Sequence, residues 1–396
     1  MIKQGEMGKS MGKYDYIIVG AGLAGGVIAR KIAEEKGKKV LIIERRNHIA
    51  GNIYDYVDSH GIKIQKYGPH VWHTNNDKVY RFITQYCVPI YYRTKCEAVI
   101  DNISTPSPFN FKTIDQFYSK EEAYNLKERL LIYYKNKPSV TVIDMLNADD
   151  KEIRKFANFL FEKDYKPYTA KQWNLTPSQI DVSVLKRVPI VLSYNDTYFY
   201  DKYEFMPKEG FGSLYKNMTD HPNIDIKLGT DALEHITFDN YKKVVLYDGI
   251  SCNIVYTGAI DELCKYKYGV LPYRSLYFDF QYVKTNSFQN TAIVAYPQAK
   301  GYTRITEYTK MPFQNCDGWT CAAYEYPVKY DKNAKAGFEP YYPVLTEESR
   351  NIYKKYRKYI EQYENLTLCG RLAEFRYYNM DQVIIRALEI YHNMEG

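Results

Sequence analysis

The chain has 396 residues, 45% of them hydrophobic and 26% charged, ordinary globular proportions that exclude a disordered or collagen-like chain and leave room for two or three domains. Its 54 Lys and Arg against 47 Asp and Glu give a net charge of +7 with no Lys/Arg run, which favours an anionic small ligand over nucleic acid. Seven scattered cysteines without a CxxC speak against a disulfide framework or a zinc site and for a cytoplasmic, reducing setting.

The run Tyr14 to Gly20 reads as a buried strand, Ala21 to Glu35 as a helix with apolar residues at Leu23, Val27, Ile28, Ile32 and Ala33, and Lys38 to Glu44 as a second strand. Together they make a β-α-β unit of the length that closes a parallel strand pair. The longest uncharged stretch, Tyr16 to Ala29, is shorter than the roughly 20 residues a membrane span requires. Its glycine pattern, with no small-residue cleavage site after it, argues against a signal peptide.

The chain is irregular from Gly51 to Thr74. Helical periodicity returns from Ser119 to Lys135 and from Thr141 to Lys163, which predicts a mostly helical insertion. Alternating Tyr, Phe, Val and Thr between Pro189 and Phe205 and from Tyr273 to Tyr326 predict antiparallel strands. The stretches 224–256 and 365–388 read as short strands and a terminal helix that return to the first unit. The expected fold class is therefore α/β, with a discontinuous Rossmann-like domain over 1–95, 206–262 and 336–396. A mostly helical domain is expected over 96–185, and an antiparallel sheet domain over 186–205 and 263–335.

Gly20-Ala-Gly22-Leu23-Ala-Gly25 follows the first strand and opens the helix, the context in which a GxGxxG pattern has meaning. Gly20 permits the tight turn, Gly22 lets a pyrophosphate approach the helix N-terminus, and Gly25 lets helix pack on strand. Glu44, 19 residues beyond Gly25 at the end of the second strand, is positioned to accept the ribose hydroxyls. The glycines alone do not separate FAD from NAD. The next stretch, Glu44-Arg45-Arg46-Asn-His-Ile-Ala50-Gly51-Asn52, resembles the extension of amine-oxidase-like FAD proteins, with Ala50 in place of the first glycine of a pair.

Further blocks are Lys66-Tyr-Gly-Pro-His70-Val-Trp-His73-Thr74, Tyr168-Thr-Ala-Lys-Gln-Trp173, Leu185-Lys-Arg187, Tyr198-Phe199 and Tyr273-Arg274-Ser-Leu276. Tyr302-Thr-Arg304-Ile-Thr-Glu307, Tyr341-Tyr342-Pro343 and Gly370-Arg371-Leu-Ala-Glu-Phe-Arg-Tyr377 follow. In order and spacing, from about Tyr14 to Leu388, they resemble the UDP-galactopyranose mutase family. The resemblance implies a flavoenzyme that interconverts UDP-galactopyranose and UDP-galactofuranose without net redox change. Reduced FAD attacks the anomeric carbon through N5, UDP leaves, the ring opens and recloses, and UDP returns. It further implies a homodimer, an unidentified reductant and a role in supplying cell-surface polysaccharide precursors.

Residue by residue, the resemblance implies that Arg187, on a mobile lid, and Arg304 clamp the diphosphate, a task suited to forked, always-charged guanidiniums. Tyr198, Tyr342 and Tyr377 correspond to phenols that hydrogen-bond it, with Phe199 and Arg274 nearby. Trp173 corresponds to the ring packed on uracil, with Tyr165 and Tyr168 lining the uridine pocket. His70 and His73 fall in the loop near the flavin, His70 as the catalytic candidate; neither has a third ligand at metal spacing, so no metal is expected. Arg371, Asn379 and Met380 would contact the cofactor, joining Gly20, Gly22, Leu23, Gly25, Glu44, Arg45, Gly51 and Asn52. Asp164 stands where the family often has Phe, and Asn379 where it commonly has Asp. The alternatives are a mutase for a related sugar such as UDP-N-acetylgalactosamine, a flavin-dependent oxidase or dehydrogenase, and a UDP-sugar binding protein.

Overall fold

The computed structural model describes residues 14–173, 188–331 and 339–394. At its centre is a five-stranded parallel sheet in the order Ile224–Lys227, Val40–Ile43, Tyr16–Val19, Asn253–Tyr256, Leu366–Leu368. Val40–Ile43 is buried along its whole length, as expected for a parallel strand covered on both faces. The crossover helix Leu23–Glu35 presents Val27, Ile28 and Ile32 to Leu214, Tyr215, Ile384 and Tyr391 of the helices Phe211–Thr219 and Met380–Asn393. On the opposite face Ile17, Leu41, Ile43 and Tyr256 meet Tyr356 and Ile360 of the helix Glu347–Ile360. The Rossmann-like sheet is thus assembled from distant stretches of the chain.

A seven-stranded sheet lies beside it in the order Tyr342–Pro343, Tyr273–Val283, Thr320–Lys329, Arg304–Glu307, Ile293–Ala295, Cys96–Ile100, Ile103–Ser107. Every pairing is antiparallel except that of Ile293–Ala295 with Cys96–Ile100. The helices Phe111–Phe117, Lys120–Tyr133, Val142–Leu146 and Lys151–Leu160 close around Leu126, Leu130, Ile153 and Phe156. Capping boxes at Ser119 and Thr141 start two of them. The last continues through a π-turn, Phe161–Tyr165, into the helix Lys166–Trp173.

Two segments differ from the sequence reading. Residues 96–107, expected with the helical region, form the hairpin at one edge of the seven-stranded sheet. Residues 186–205, expected in the sheet domain, do not enter that sheet where they are described. Ile190–Val191 pairs with Ser139–Val140, and Tyr203–Pro207 lies between Trp72–Thr74 and Pro89–Tyr91. Alternation shows that a segment is a half-buried strand but not which strand it joins. No described helix is long and apolar enough to cross a membrane.

Candidate functional site

The first arm of the site opens where Tyr16–Val19 and Val40–Ile43 end. Gly20 has φ +109°, and a Cβ there would sit 2.1 Å from Thr257 Oγ1. A Cβ on Gly25 would sit 2.2 Å from the Gly20 carbonyl oxygen, so the helix can lie this close to the turn only without one. Gly51, at φ +56°, crosses over Gly22, and its Cβ would lie 2.7 Å from Gly22 Cα. The helix starts at Leu23 with Gly22 as its N-cap and no side-chain cap, which leaves the first amides aimed along the helix axis into the cleft.

Glu44, 4% exposed, accepts from the Ala21 amide at 2.9 Å through Oε2, and from the Arg46 amide and Nε at 3.0 and 3.1 Å through Oε1. Burial opposes its charge, yet the Arg46 charge and these donors hold the carboxyl below the usual glutamate range. Arg46 also donates to Asn52 Oδ1 at 3.0 Å and lies over the Tyr67 ring. Arg45 pairs with Glu262 and Glu339, each at 3.2 Å.

The cleft is lined by Gly20, Gly22, Leu23, Glu44, Arg45, Gly51, Asn52, His70, Arg371 and Met380 of the sequence-derived set. Gly25 acts behind the turn, and Asn379 is the N-cap of the terminal helix, its N–H donating to Gln382 Oε1 at 2.9 Å. Sequence reasoning missed Arg46, Thr230, Tyr256, Thr257, Glu339 and Tyr341, which also line the cleft. Of these only Arg46, two residues after Glu44, carried a local signal.

His70 joins the first arm to the second. Its Nδ1 lies 2.8 Å from the Gly68 carbonyl, its N–H donates to Gln65 Oε1, and its carbonyl accepts from Gln65 Nε2 at 3.1 Å. A carbonyl can only accept, so Nδ1 carries the proton and Nε2 is left as an acceptor. Burial pushes the imidazole down to about 4, with the charges of Arg371 and Arg304 acting in the same direction, so it is neutral at pH 7.

In the second arm Arg304, at the start of its strand, donates to one oxygen of Glu325, Oε2, at 2.7 Å from Nε and 2.6 Å from a terminal nitrogen. The strand register puts the two residues opposite each other, and Glu325 is 2% exposed. Burial acts against the Arg304 charge, but Glu325 outweighs it and raises the guanidinium above its ordinary value. Tyr342 stacks on Tyr377 with ring centroids 5.4 Å apart. Arg274 and Arg371 lie 4.6 and 4.7 Å from the Tyr342 ring centre, Arg371 also 5.3 Å from that of Tyr377, within cation–π range. Arg371 is steered by the carbonyls of Tyr341 at 3.2 Å and Tyr378 at 2.6 Å. Burial pushes Arg274 down.

Tyr168, on the helix Lys166–Trp173, faces this group: burial raises its phenol while the Arg304 charge lowers it. Tyr165 is spent on the core of the helical region, with its ring on Phe109 and its hydroxyl donating to the Val188 carbonyl at 2.8 Å. Phe199 stacks on His73 at 3.8 Å and meets Tyr198 edge-on at 4.9 Å, and His73 Nδ1 reaches Asp201 Oδ2 at 2.5 Å. His73 thus belongs to the Asp201 side, apart from the residues lining the cleft. Burial pushes Asp164 up to about 7. Trp173 closes the helix, and Arg187 lies outside the described residues. No group of metal-ligating side chains occurs among the described residues.

Comparison with known proteins gives a family described as UDP-galactopyranose mutase over residues 163–377 and a NAD(P)-binding Rossmann-like domain over 18–86. The chain is 33% identical over 382 residues to a protein of Klebsiella pneumoniae named "Probable UDP-galactopyranose mutase", covering 96% of this chain and 94% of that one. It is 32% identical over 381 residues to the dTDP-fucopyranose mutase of Escherichia coli, covering 94% and 96%. A crystal structure of reduced UDP-galactopyranose mutase superposes with a TM-score of 0.71 at 16% identity, over 97% of this chain and 94% of that one.

Proposed function

The chain belongs to the UDP-galactopyranose mutase family, and from that membership we propose that it interconverts UDP-galactopyranose and UDP-galactofuranose with reduced FAD, without net oxidation. One observation carries the reading: a glycine-walled dinucleotide cleft continues, through His70, into a cluster where Arg304, Arg274 and Arg371 gather around Tyr342 and Tyr377. An oxidase on the same scaffold has no use for three guanidiniums there.

The residues present fit FAD. Gly22 and Gly51 cross so closely that a Cβ on Gly51 would clash with Gly22 Cα, which leaves that wall of the cleft free of side chains; the helix amides at Leu23 face the cleft, and Glu44 is held ionised at its ribose end. FAD in its reduced form, held by the Leu23 amides, Gly51 and Glu44, would supply a nucleophile to the sugar. This chain's residues hold the nucleotide that it displaces. Arg304, aimed by Glu325, and Arg371, aimed by two carbonyls, present fixed N–H donors to a diphosphate that gains charge as the glycosidic bond breaks. Tyr342 and Tyr377 add phenolic donors, and the cations over their rings fix both. His70, neutral and protonated on Nδ1, offers an acceptor toward the cofactor. Family membership assigns Tyr168 and Trp173 to uridine and Arg187, outside the described residues, to the diphosphate.

The enzyme works in the cytoplasm as a homodimer, is kept reduced by a cellular reductant, and supplies activated furanose for surface polysaccharide. The test is to incubate purified protein with UDP-galactofuranose, oxidised and then dithionite-reduced without oxygen, and to separate the products. Conversion to the pyranose only after reduction is expected. UDP-N-acetylgalactosamine and dTDP-fucopyranose in parallel arms fix the sugar, the latter because of the Escherichia coli relative's name. A wild-type protein inactive on all three when reduced would remove the mutase reading.

A further inference from the structure

The helix Lys166–Trp173 carries a half-buried cation, Lys171, that the reaction described above does not use. Lys171 Nζ donates to three main-chain carbonyls of a single loop, Tyr296 at 2.6 Å, Ala299 at 2.8 Å and Tyr302 at 2.9 Å. An ammonium has three N–H donors and no acceptor, so the loop takes all of them. That loop joins the antiparallel strands Ile293–Ala295 and Arg304–Glu307. It is closed by the Tyr296 amide on the Thr303 carbonyl and tied onward by the Thr303 amide on the Glu325 carbonyl, both at 2.8 Å. Two residues after the last clamped carbonyl comes Arg304; three residues before Lys171 comes Tyr168.

We propose that Lys171 is a positioning residue, which through the three carbonyls of residues 296–302 fixes the helix bearing Tyr168 against the strand bearing Arg304. The inference rests on the site reading above. It gives the ammonium a purpose that its surroundings support. Burial pushes Lys171 down to about 8, with the Asp164 charge acting the other way, so the cation is kept at a cost that three charge-assisted bonds to carbonyls offset. The loop itself is braced by rings on its far side, Tyr302 against Tyr296, Tyr324 and Tyr326. It therefore passes a displacement of the helix on to Thr303 and Arg304. A nucleoside diphosphate spanning Tyr168 and Arg304 needs that separation held to a fraction of an ångström, since a misplacement of about 1 Å can cost on the order of a hundredfold in rate.

The experiment compares Lys171→Met and Lys171→Arg with wild type and with Leu130→Ala, a cavity variant in the core of the helical region. Steady-state kinetics on UDP-galactofuranose with dithionite, FAD content and thermal melting are measured for each. Lys171→Met is expected to lose about tenfold or more in kcat with its FAD content intact, while Leu130→Ala melts lower and keeps kcat. Lys171→Arg keeps the charge, but its planar fork cannot converge on three carbonyls from one point. It is expected to fold, melt near wild type and still lose several-fold in kcat. Values of kcat within twofold of an active wild type in both Lys171 variants overturn the proposal. A reduced wild type that neither converts sugar nor binds UDP overturns the proposed function itself, and this inference with it, an outcome distinct from active enzyme with unaffected variants.

Discussion

Glu325→Gln tests whether Arg304 is a cation held ready for a diphosphate. In the folded protein two of the three Arg304 guanidinium nitrogens end on one oxygen of a carboxylate that is 2% exposed. Removing one partner of a buried pair costs about 3–5 kcal/mol, and the amide oxygen of Gln restores about 1 kcal/mol as an ordinary acceptor, leaving a loss of about 3 kcal/mol. With an unfolding entropy of about 2.1 cal/mol/K per residue, 396 residues give about 0.8 kcal/mol/K, so the melting temperature falls by about 4 °C. A diphosphate on the other face of the guanidinium, roughly 6 Å from the Glu325 charge, is repelled by about 3 kcal/mol at an effective dielectric of 20. The variant no longer opposes it. UDP should therefore raise the melting temperature of Glu325→Gln more than that of wild type, and titration should show tighter UDP. Turnover should nevertheless fall, because affinity gained equally by ground and transition states does not speed the chemical step and the aim of Arg304 is lost. Differential scanning fluorimetry with and without UDP, paired with calorimetric titration, reads both effects. A UDP-induced shift no larger than in wild type would refute the reasoning and remove Arg304 from the diphosphate site.

Gly51→Ala puts a Cβ 2.7 Å from Gly22 Cα at a positive φ; the purified variant should be nearly colourless, and a wild-type flavin content by absorbance would show that the crossing does not shape the cofactor site. His70, held down to about 4 from an ordinary 6.5, binds fewer protons folded than unfolded between those values. Stability should thus fall as pH drops through that window, by about 3 kcal/mol at 1.36 kcal/mol per pKa unit; a His70→Asn variant whose urea stability keeps the same dependence from pH 7 to 4.5 would contradict this. Asp164, raised from 3.8 to about 7, has the opposite sign: the fold binds the extra proton, so stability is lost as pH rises from about 4 to 7. Asp164→Asn should match wild type near pH 4 and exceed it at pH 8 by up to about 4 kcal/mol, and equal urea midpoints at pH 8 would count against a carboxyl that burial holds protonated.

The β-α-β unit and its glycines were legible because most of the requirement is local: strand, turn and helix lie within about 30 residues, Gly20 needs its positive φ in the turn and Gly25 answers to the Gly20 carbonyl, while Thr257 over Gly20 and the crossing at Gly51 come from outside the unit. The helical region was legible for the same reason, since period and caps are short-range signals. What escaped was pairing at a distance. Cys96–Ile100 finds its partner at Ile293–Ala295, and Tyr203–Pro207 at Trp72–Thr74 and Pro89–Tyr91, and alternation carries no address for either. Family resemblance supplied Arg304 and Tyr342, but nothing in the local sequence announces Glu325 as the carboxylate that aims Arg304, or the loop that takes Lys171. Arg45 and Arg46 are the sharpest case. They are adjacent in sequence, and only the fold shows that Arg46 pairs with Glu44 and Asn52 while Arg45 pairs with Glu262 and Glu339.

These pairings also decide where an anion is best held. Arg46 is balanced by Glu44, Arg45 by two carboxylates, and Arg304 by one oxygen of Glu325. Arg371, by contrast, is held in the described structure by carbonyls, which orient a guanidinium without neutralising it. The excess positive charge of the site therefore gathers around Tyr342 and Tyr377, at the far end from Glu44 and next to His70, whose pKa burial lowers first and the charges of Arg371 and Arg304 lower further. A cofactor with its own diphosphate at the Gly22 end and a substrate diphosphate at the Tyr342 end would then meet head to head at His70. On the proposed function, that ordering would bring the two ligands together beside His70, and it follows from which arginines are already spent as much as from which are present.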